Sequence, residues 1–300
     1  MGFLLQYGEP VAVAIRRIAD EELGGVAQTL TDLTPQSLDG GIHSARKAFK
    51  RLRGLVRLVR RGLGEPAYQC ENGCYRELAR QLAEAREAAA VIEVFDRLMD
   101  RFASEVAPGE FDECRKRMVE PNALANGERA SVAAMVDAVE QARVRVAGWA
   151  FSADGWEVLA PGLGRIYRVG LRDFALAQSE PTTQRLHEWR KYVKYHWFHV
   201  RLLKDIWPAA MDARRQALDQ LGELLGQEHD LSELRRRVLA GEPPLVDGTA
   251  ARLCGLIERQ RAECVAAAFL AGRRLYAEEP SHLVSRLAAY YATWEAAPRC

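Results

Sequence analysis

The sequence predicts an all-α protein built as two pseudo-symmetric helical bundles. Three observations carry that prediction. Apolar residues recur at helical spacing along most of the chain, and the alternation expected of strands is nearly absent. The string His43-x-x-Arg46-Lys47-x-x-Lys50 returns 144 residues on as His187-x-x-Arg190-Lys191-x-x-Lys194, and at the same interval Arg57 answers Arg201. Between the copies, Phe151 to Gly164 is interrupted by Gly155, Pro161 and Gly162, which marks an internal boundary.

The elements follow from caps and breakers. Pro10 starts a helix reaching about Leu33, with Gly24-Gly25 a weak point, and Thr34 to Gly41 reads as a loop. A first basic helix spans His43 to Leu63 and is ended by Gly62, Gly64 and Pro66. A long helix from about Tyr75 to Ala103 follows, then shorter ones near 110–119 and 128–149. The second half begins near Leu163 with a helix to Gln178. Pro181 precedes the second basic helix, Thr183 to Ile206, and Pro208 stops it. Helices over 209–225, 229–240, 249–277 and 281–296 complete the chain, with Pro243-Pro244 in a loop. Leu82-Ala-Glu-Ala-Arg86-Glu87 and Leu225-Gly-Gln-Glu-His229-Asp230 occupy corresponding places after the two basic helices.

Composition sets bounds on partners. With 300 residues, 48% of them hydrophobic, a full core is available and global disorder is not expected. Lys and Arg number 42 against 41 Asp and Glu, so net charge selects no partner. Distribution does: Gly40 to Gly64 holds eight basic residues and no acid, a local field that survives overall neutrality. The cysteines at 70, 74, 114, 254, 264 and 300 do not resemble a secreted disulfide framework. Cys70-x-x-x-Cys74 lacks a second ligand pair, so no zinc or other cofactor is expected. Charged residues Glu9, Arg16, Arg17 and Asp20 interrupt the start of the chain, and no run of about 20 apolar residues occurs. The expectation is a soluble cytoplasmic protein without membrane contact.

At 100° per residue, Lys47, Lys50, Arg57 and Arg61 fall within about 40° of His43, with Arg46 and Arg53 on one shoulder. Phe49, Leu52, Leu55, Val56 and Val59 lie opposite. The second helix repeats the division, with His187, Arg190, Lys191, Lys194 and Arg201 facing away from Trp189, Val193, Val200 and Leu203. An ordinary solvated face pairs its cations with acids four residues away, whereas like charges at that spacing repel by a few tenths of a kcal/mol. A locally unfavourable pattern made twice marks a site for an anion. His43 and His187 sit among the cations and offer a hydrogen bond or added charge. His196 and His199 project to the apolar side and read as structural, and Tyr192, Tyr195 and Trp197 read as packing.

These residues resemble the paired signatures of CHAD domains, the conserved-histidine α-helical domains. The supporting segments are Gly8-Glu-Pro-Val11, Gly162-Leu-Gly-Arg-Ile-Tyr167-Arg168, Leu225 to Asp230, and Gly272-Arg-Arg-Leu-Tyr276-Ala-Glu-Glu-Pro280. The resemblance implies one CHAD domain over 1–300, with halves of about 8–150 and 163–297, around a basic central cavity that binds inorganic polyphosphate at polyphosphate granules without catalysis. It implies anion contacts from His43, Arg46, Lys47, Lys50, Arg53 and Arg57, and from His187, Arg190, Lys191, Lys194 and Arg201. Arg165, Tyr167, Arg168, Arg172 and His229 are implied additions, followed by Arg86 and Arg273. Two places depart from the family pattern. Tyr195-His-Trp197 brings no basic residue before Arg201, and Arg86-Glu87 stands where Arg-Asp is common. The second face is therefore expected to bind less strongly. Two alternatives stay open: a nucleic-acid binder, though no DNA- or RNA-recognition signature occurs, and a metal-dependent phosphohydrolase built on His229-Asp230, though no carboxylate-rich cluster accompanies it. Oligomeric state is not readable.

Overall fold

A computed structural model describes residues 2–34, 36–82, 87–119, 128–242, 245 and 247–297. All regular structure among the described residues is helical. The helices are α1 (Val11–Thr31), α2 (Leu38–Leu58), α3 (Arg60–Leu63), α4 (Glu65–Gln81), α5 (Glu87–Arg101), α6 (Asp112–Val119), α7 (Glu128–Ala147), α8 (Trp156–Ser179), α9 (Thr183–Leu202), α10 (Pro208–Leu239), α11 (Asp247–Leu275) and α12 (Pro280–Glu295). A 3-10 turn, Lys204–Ile206, precedes α10.

α1 packs between α2 and α7 through a stripe of Ile15, Ile18, Leu23, Val26 and Leu30. Its orphan N-terminal donors are served from across the fold, where the Ala12 amide donates to Asp154 Oδ1 at 2.9 Å. α2 starts at Leu38, inside the segment read as a loop, because Gly41 brings its first turn against Leu33. The basic helix breaks at Val59, and Gly64 with φ of 85° turns the chain into α4. Pro66, read as a stop, sits in the first turn of α4, where its missing N–H costs nothing.

The expected helix from Tyr75 to Ala103 is two helices. α4 ends at Gln81, and α5 buries Phe95, Leu98 and Phe102 with Leu234, Leu253, Leu256 and Ile257 of α10 and α11. Chain order places α5 and α6 in the first half, but the apolar surface that covers them belongs to the second. Arg86 lies outside the described residues, as do Pro243-Pro244 and Cys300.

α8 begins seven residues before the expected Leu163 and carries Pro161 and Gly162 within it. Gly162 is required by contact: a β-carbon there would fall on the Leu58 carbonyl of α2. α9 crosses α2 at a second glycine. Gly54 lies against Phe198, 3.0 Å from the position of an added β-carbon, and His199 Nε2 donates to the Gly54 carbonyl oxygen at 2.9 Å. Thr182 caps α9 by accepting from the Arg185 amide. The far side of α9 sinks Trp189 between Phe174 and Phe269. α10 is one helix of 32 residues where two were expected. Gly226, in the gap between the two expected helices, and Gly222 are covered by side chains of α9.

Backbone proximity at Gly162 yields a stability prediction. Gly162→Ala costs about 3 kcal/mol, the upper end for overpacking, whereas Gly25→Ala, facing open space in α1, gains about 0.5–1 kcal/mol. Urea unfolding followed by circular dichroism checks both, and equal midpoints for the two variants would contradict the crossing.

Candidate functional site

The crossing of α2 and α9 turns two separate basic faces into one cluster. Lys50 of α2 is solvent-accessible yet crowded by protein. Burial first, and then the charges of Arg190, Arg46, Lys194 and Lys47, pull its pKa down to about 8. Two of those four cations come from α9, so the repeated strings converge on one ammonium. His43 and Arg46 are half-buried on the same helix, and Lys47 is exposed. Among the described residues no carboxylate pairs with Lys47, Lys50, Arg53 or Arg57. Arg51 and Arg60 are instead neutralised, by Glu22 of α1 at 2.5 Å and by Glu65 of α4 at 2.6 Å.

One turn along α2, Arg57 donates to Asn72 Oδ1 of α4 at 2.5 Å and lies 4.4 Å over the ring of Tyr195. Arg53 shares the same Asn72 oxygen at 3.4 Å. Burial lowers the pKa of Arg53, the Tyr195 hydroxyl opposes that, and Arg57 and Arg76 lower it further. Both guanidiniums are held in place by neutral partners.

The second copy is arranged differently. Arg190 and Lys194 lie across α10 where it has no side chains. An added β-carbon at Gly226 would stand 2.9 Å from Arg190 Nη2, and one at Gly222 would stand 3.0 Å from Lys194 Cε. Lys194 Nζ reaches Glu223 at 3.0 Å and Asp219 at 3.6 Å, and Lys191 pairs with Glu188 at 2.5 Å. His187 stacks on His229 with ring centroids 4.6 Å apart. Burial, then His229, Lys191 and Arg190, lower the His187 pKa to about 4, so its imidazole is neutral near pH 7. The Nδ1 atoms of both rings are buried without a hydrogen-bond partner among the described residues. Arg201 points elsewhere: it lies 5.7 Å from the Trp197 ring and near the Arg51–Glu22 pair, and burial lowers its pKa.

Of the α8 candidates, Arg165 and Arg168 are exposed, and Arg165 is near enough to Glu65 to lower its pKa. Arg172 is held by buried Asp173 at 2.7 Å. Tyr167 does not join the cations. It is fully buried, and its hydroxyl donates to the carbonyls of Leu275 and Glu278 at 3.0 and 2.7 Å, a packing role set by the turn after α11. Arg273 is exposed near the end of α11. His196 and His199 are buried in the core as expected, with burial holding both pKa values down. Sequence reasoning missed Asn72, whose only signal was its place on the next helix. It also missed Gly222-x-x-x-Gly226, whose spacing clears one face of α10.

Of two surface recesses, the one of about 290 Å³ between α1 and α2 is walled by other residues, and the one of about 500 Å³ where α8 meets α9 takes in Arg172 alone of the candidates. The cluster is therefore a crossing of charged faces that neither recess outlines.

Fold and site together define an all-α domain in which two basic helices cross and pool their cations. The chain belongs to the CHAD domain family, whose match covers residues 21–239 and so takes in both basic helices and all of α10. No curated protein matches the sequence significantly.

The lowered Lys50 pKa fixes a sign. Its folded value lies below the unfolded one near 10.4, so between about pH 8 and pH 10 the unfolded chain holds more protons and stability rises with pH. Lys50→Gln is expected to raise the urea midpoint at about pH 7, with the advantage over the parent protein shrinking towards pH 10. A midpoint lowered equally at both pH values would remove the crowding inferred for Lys50.

Proposed function

We propose that the protein binds inorganic polyphosphate non-catalytically along the crossing of α2 and α9. The observation that carries this is Lys50, whose ammonium is crowded by cations of both helices. Charge gathered at a cost, with no carboxylate paired to Lys47, Lys50, Arg53 or Arg57 among the described residues, suits a ligand that brings its own negative charge. Polyphosphate offers closely spaced oxyanions and no bases, so it needs cations and donors rather than stacking surfaces. Arginines supply forked contacts and lysines point charges. His43, Arg46, Lys47, Lys50, Arg53 and Arg57 form the first half of the contact set, and Arg190, Lys194, Lys191 and His187 the second. His229, Arg165 and Arg168 flank them. His187, neutral near pH 7, contributes a hydrogen bond rather than a charge. On this reading the two helices belong to pseudo-symmetric halves of one domain over 1–300, and their crossing takes the part of the expected basic cavity.

His229 and Asp230 support hydrolysis less well. His229 is stacked on His187, and among the described residues no three His, Cys, Asp or Glu side chains gather in an arrangement able to hold a metal. A nucleic acid would meet the same cations, and competition at equal phosphate concentration decides between the two ligands.

Retention on long-chain polyphosphate should fall steeply with salt. About six phosphates engaged give a log–log slope near −4, using the single-strand coefficient, over roughly 50–300 mM. Lys50→Glu with Lys194→Glu abolishes retention while helical content stays unchanged, and the parent protein releases no phosphate with Mg²⁺ or Mn²⁺. A flat salt response, retention by the double variant, RNA outcompeting polyphosphate, or phosphate release would each overturn the assignment.

No described helix is long and apolar enough to cross a membrane, and we place the protein in the cytoplasm at polyphosphate granules. A fluorescent fusion should concentrate at granules and become diffuse in cells lacking polyphosphate. Diffuse signal in both removes the granule role.

A further inference from the structure

We infer that Asp219 and Glu223 of α10 are specificity-determining residues that select among polyanions by competing with the ligand for Lys194, an inference that rests on the polyphosphate-binding assignment above. The two carboxylates stand four residues apart, one helical turn, so they present to the same neighbour. Both reach that neighbour: Lys194 Nζ is 3.0 Å from Glu223 and 3.6 Å from Asp219. Gly222 lies between them in sequence, and its lack of a side chain lets the lysine stem lie directly on α10. Lys194 is also one of the cations that crowd Lys50. It therefore stands between a cation cluster on one side and an acidic pair on the other, while Lys50, its counterpart in the repeat, has no carboxylate partner among the described residues.

This position has a chemical consequence. An anion entering the cluster must draw Lys194 away from its two carboxylates or place its own charge beside them. Every anion meets that cost, but only a ligand with closely spaced charge recovers it at the neighbouring Lys50, Arg46 and Arg190. Successive phosphates of polyphosphate share a single bridging oxygen. In a nucleic acid a sugar separates them, so fewer fall within the cluster. The carboxylates thus penalise a sparse polyanion more than a dense one, discrimination by an opposing charge rather than by an added contact.

The effect is small per pair, because the carboxylates are 46% and 66% exposed. Removing each is worth roughly a two- to fivefold change in affinity, the range for surface ion pairs. The test compares the full chain with Asp219→Asn/Glu223→Gln, measuring affinity for long-chain polyphosphate and for single-stranded RNA at one salt concentration. Glu233→Gln, on the same helix but paired with Arg236 and Arg237, removes one charge where the test variant removes two and so controls for net charge when the gains are compared per charge removed. The expected result is tighter polyphosphate binding by the double variant, a larger gain for RNA, and little change in the control.

An unchanged polyphosphate affinity with a lowered urea midpoint means the carboxylates only hold α9 to α10, and it overturns the inference. So does an equal gain in the Glu233→Gln control, or a gain for RNA no larger than that for polyphosphate. Failure of the parent protein and the variant alike to bind polyphosphate overturns the binding assignment and this inference together. Binding by the parent protein without any gain in the variant overturns the inference alone.

Discussion

The close approach of α2 to α8 and α9, backbone on backbone at Gly162 and face on face at Gly54, is the contact on which the rest depends. It brings together two helix faces that repel each other. Charges three and four residues apart on α2 cost a few tenths of a kcal/mol each, and cations from α9 add to that. The opposite side of α2 buries Phe49, Leu52, Leu55, Val56 and Leu58 completely, and each such side chain stabilises the fold by about 1.5–3 kcal/mol. The apolar term exceeds the repulsion several-fold. The fold can therefore hold a concentrated positive field that no isolated helix would keep in place.

The two copies of the repeat use the same residues in unlike surroundings. The first helix has no acid from Gly40 to its end, and neighbouring helices supply carboxylates to Arg51, through Glu22, and to Arg60 just beyond it, through Glu65. Among the described residues no carboxylate pairs with Lys47, Lys50, Arg53 or Arg57. The second helix lies on α10, whose missing side chains at 222 and 226 admit Arg190 and Lys194 and whose carboxylates then engage Lys194. From the sequence a weaker second face is the expectation, because aromatic and histidine residues interrupt its charge. The acidic neighbour on α10 acts in the same direction on Lys194.

Burial sorts the histidines by chemistry. His196 accepts from Arg214 Nε at 3.0 Å, and His199 bridges to α2. Both are enclosed, so burial keeps them uncharged and they act as polar struts. His187 and His229 lie ring against ring, tilted by 38°, at the edge of the cations, and the Nδ1 of all four rings is buried without a partner among the described residues. The imidazole group thus serves as a crossing pin in one pair and as an available donor in the other.

The sequence by itself determined the helical class, the two basic faces, their apolar backs and the structural role of His196 and His199. All of these depend on periodicity, which is local. Boundaries were less legible. Pro66, Pro161 and Gly162 read as breaks, yet Pro66 sits in the first turn of α4, Pro161 lies within α8, and Gly162 is where α8 meets the Leu58 backbone. The same limit applies to the site. Tyr167 carries the resemblance but faces the core, Arg201 mirrors Arg57 but lies near Glu22, and Asn72 bears no motif at all. Only the tertiary structure decided which cations meet, since the crossing angle, the glycine contacts and the acids of α10 arise between segments distant in the chain.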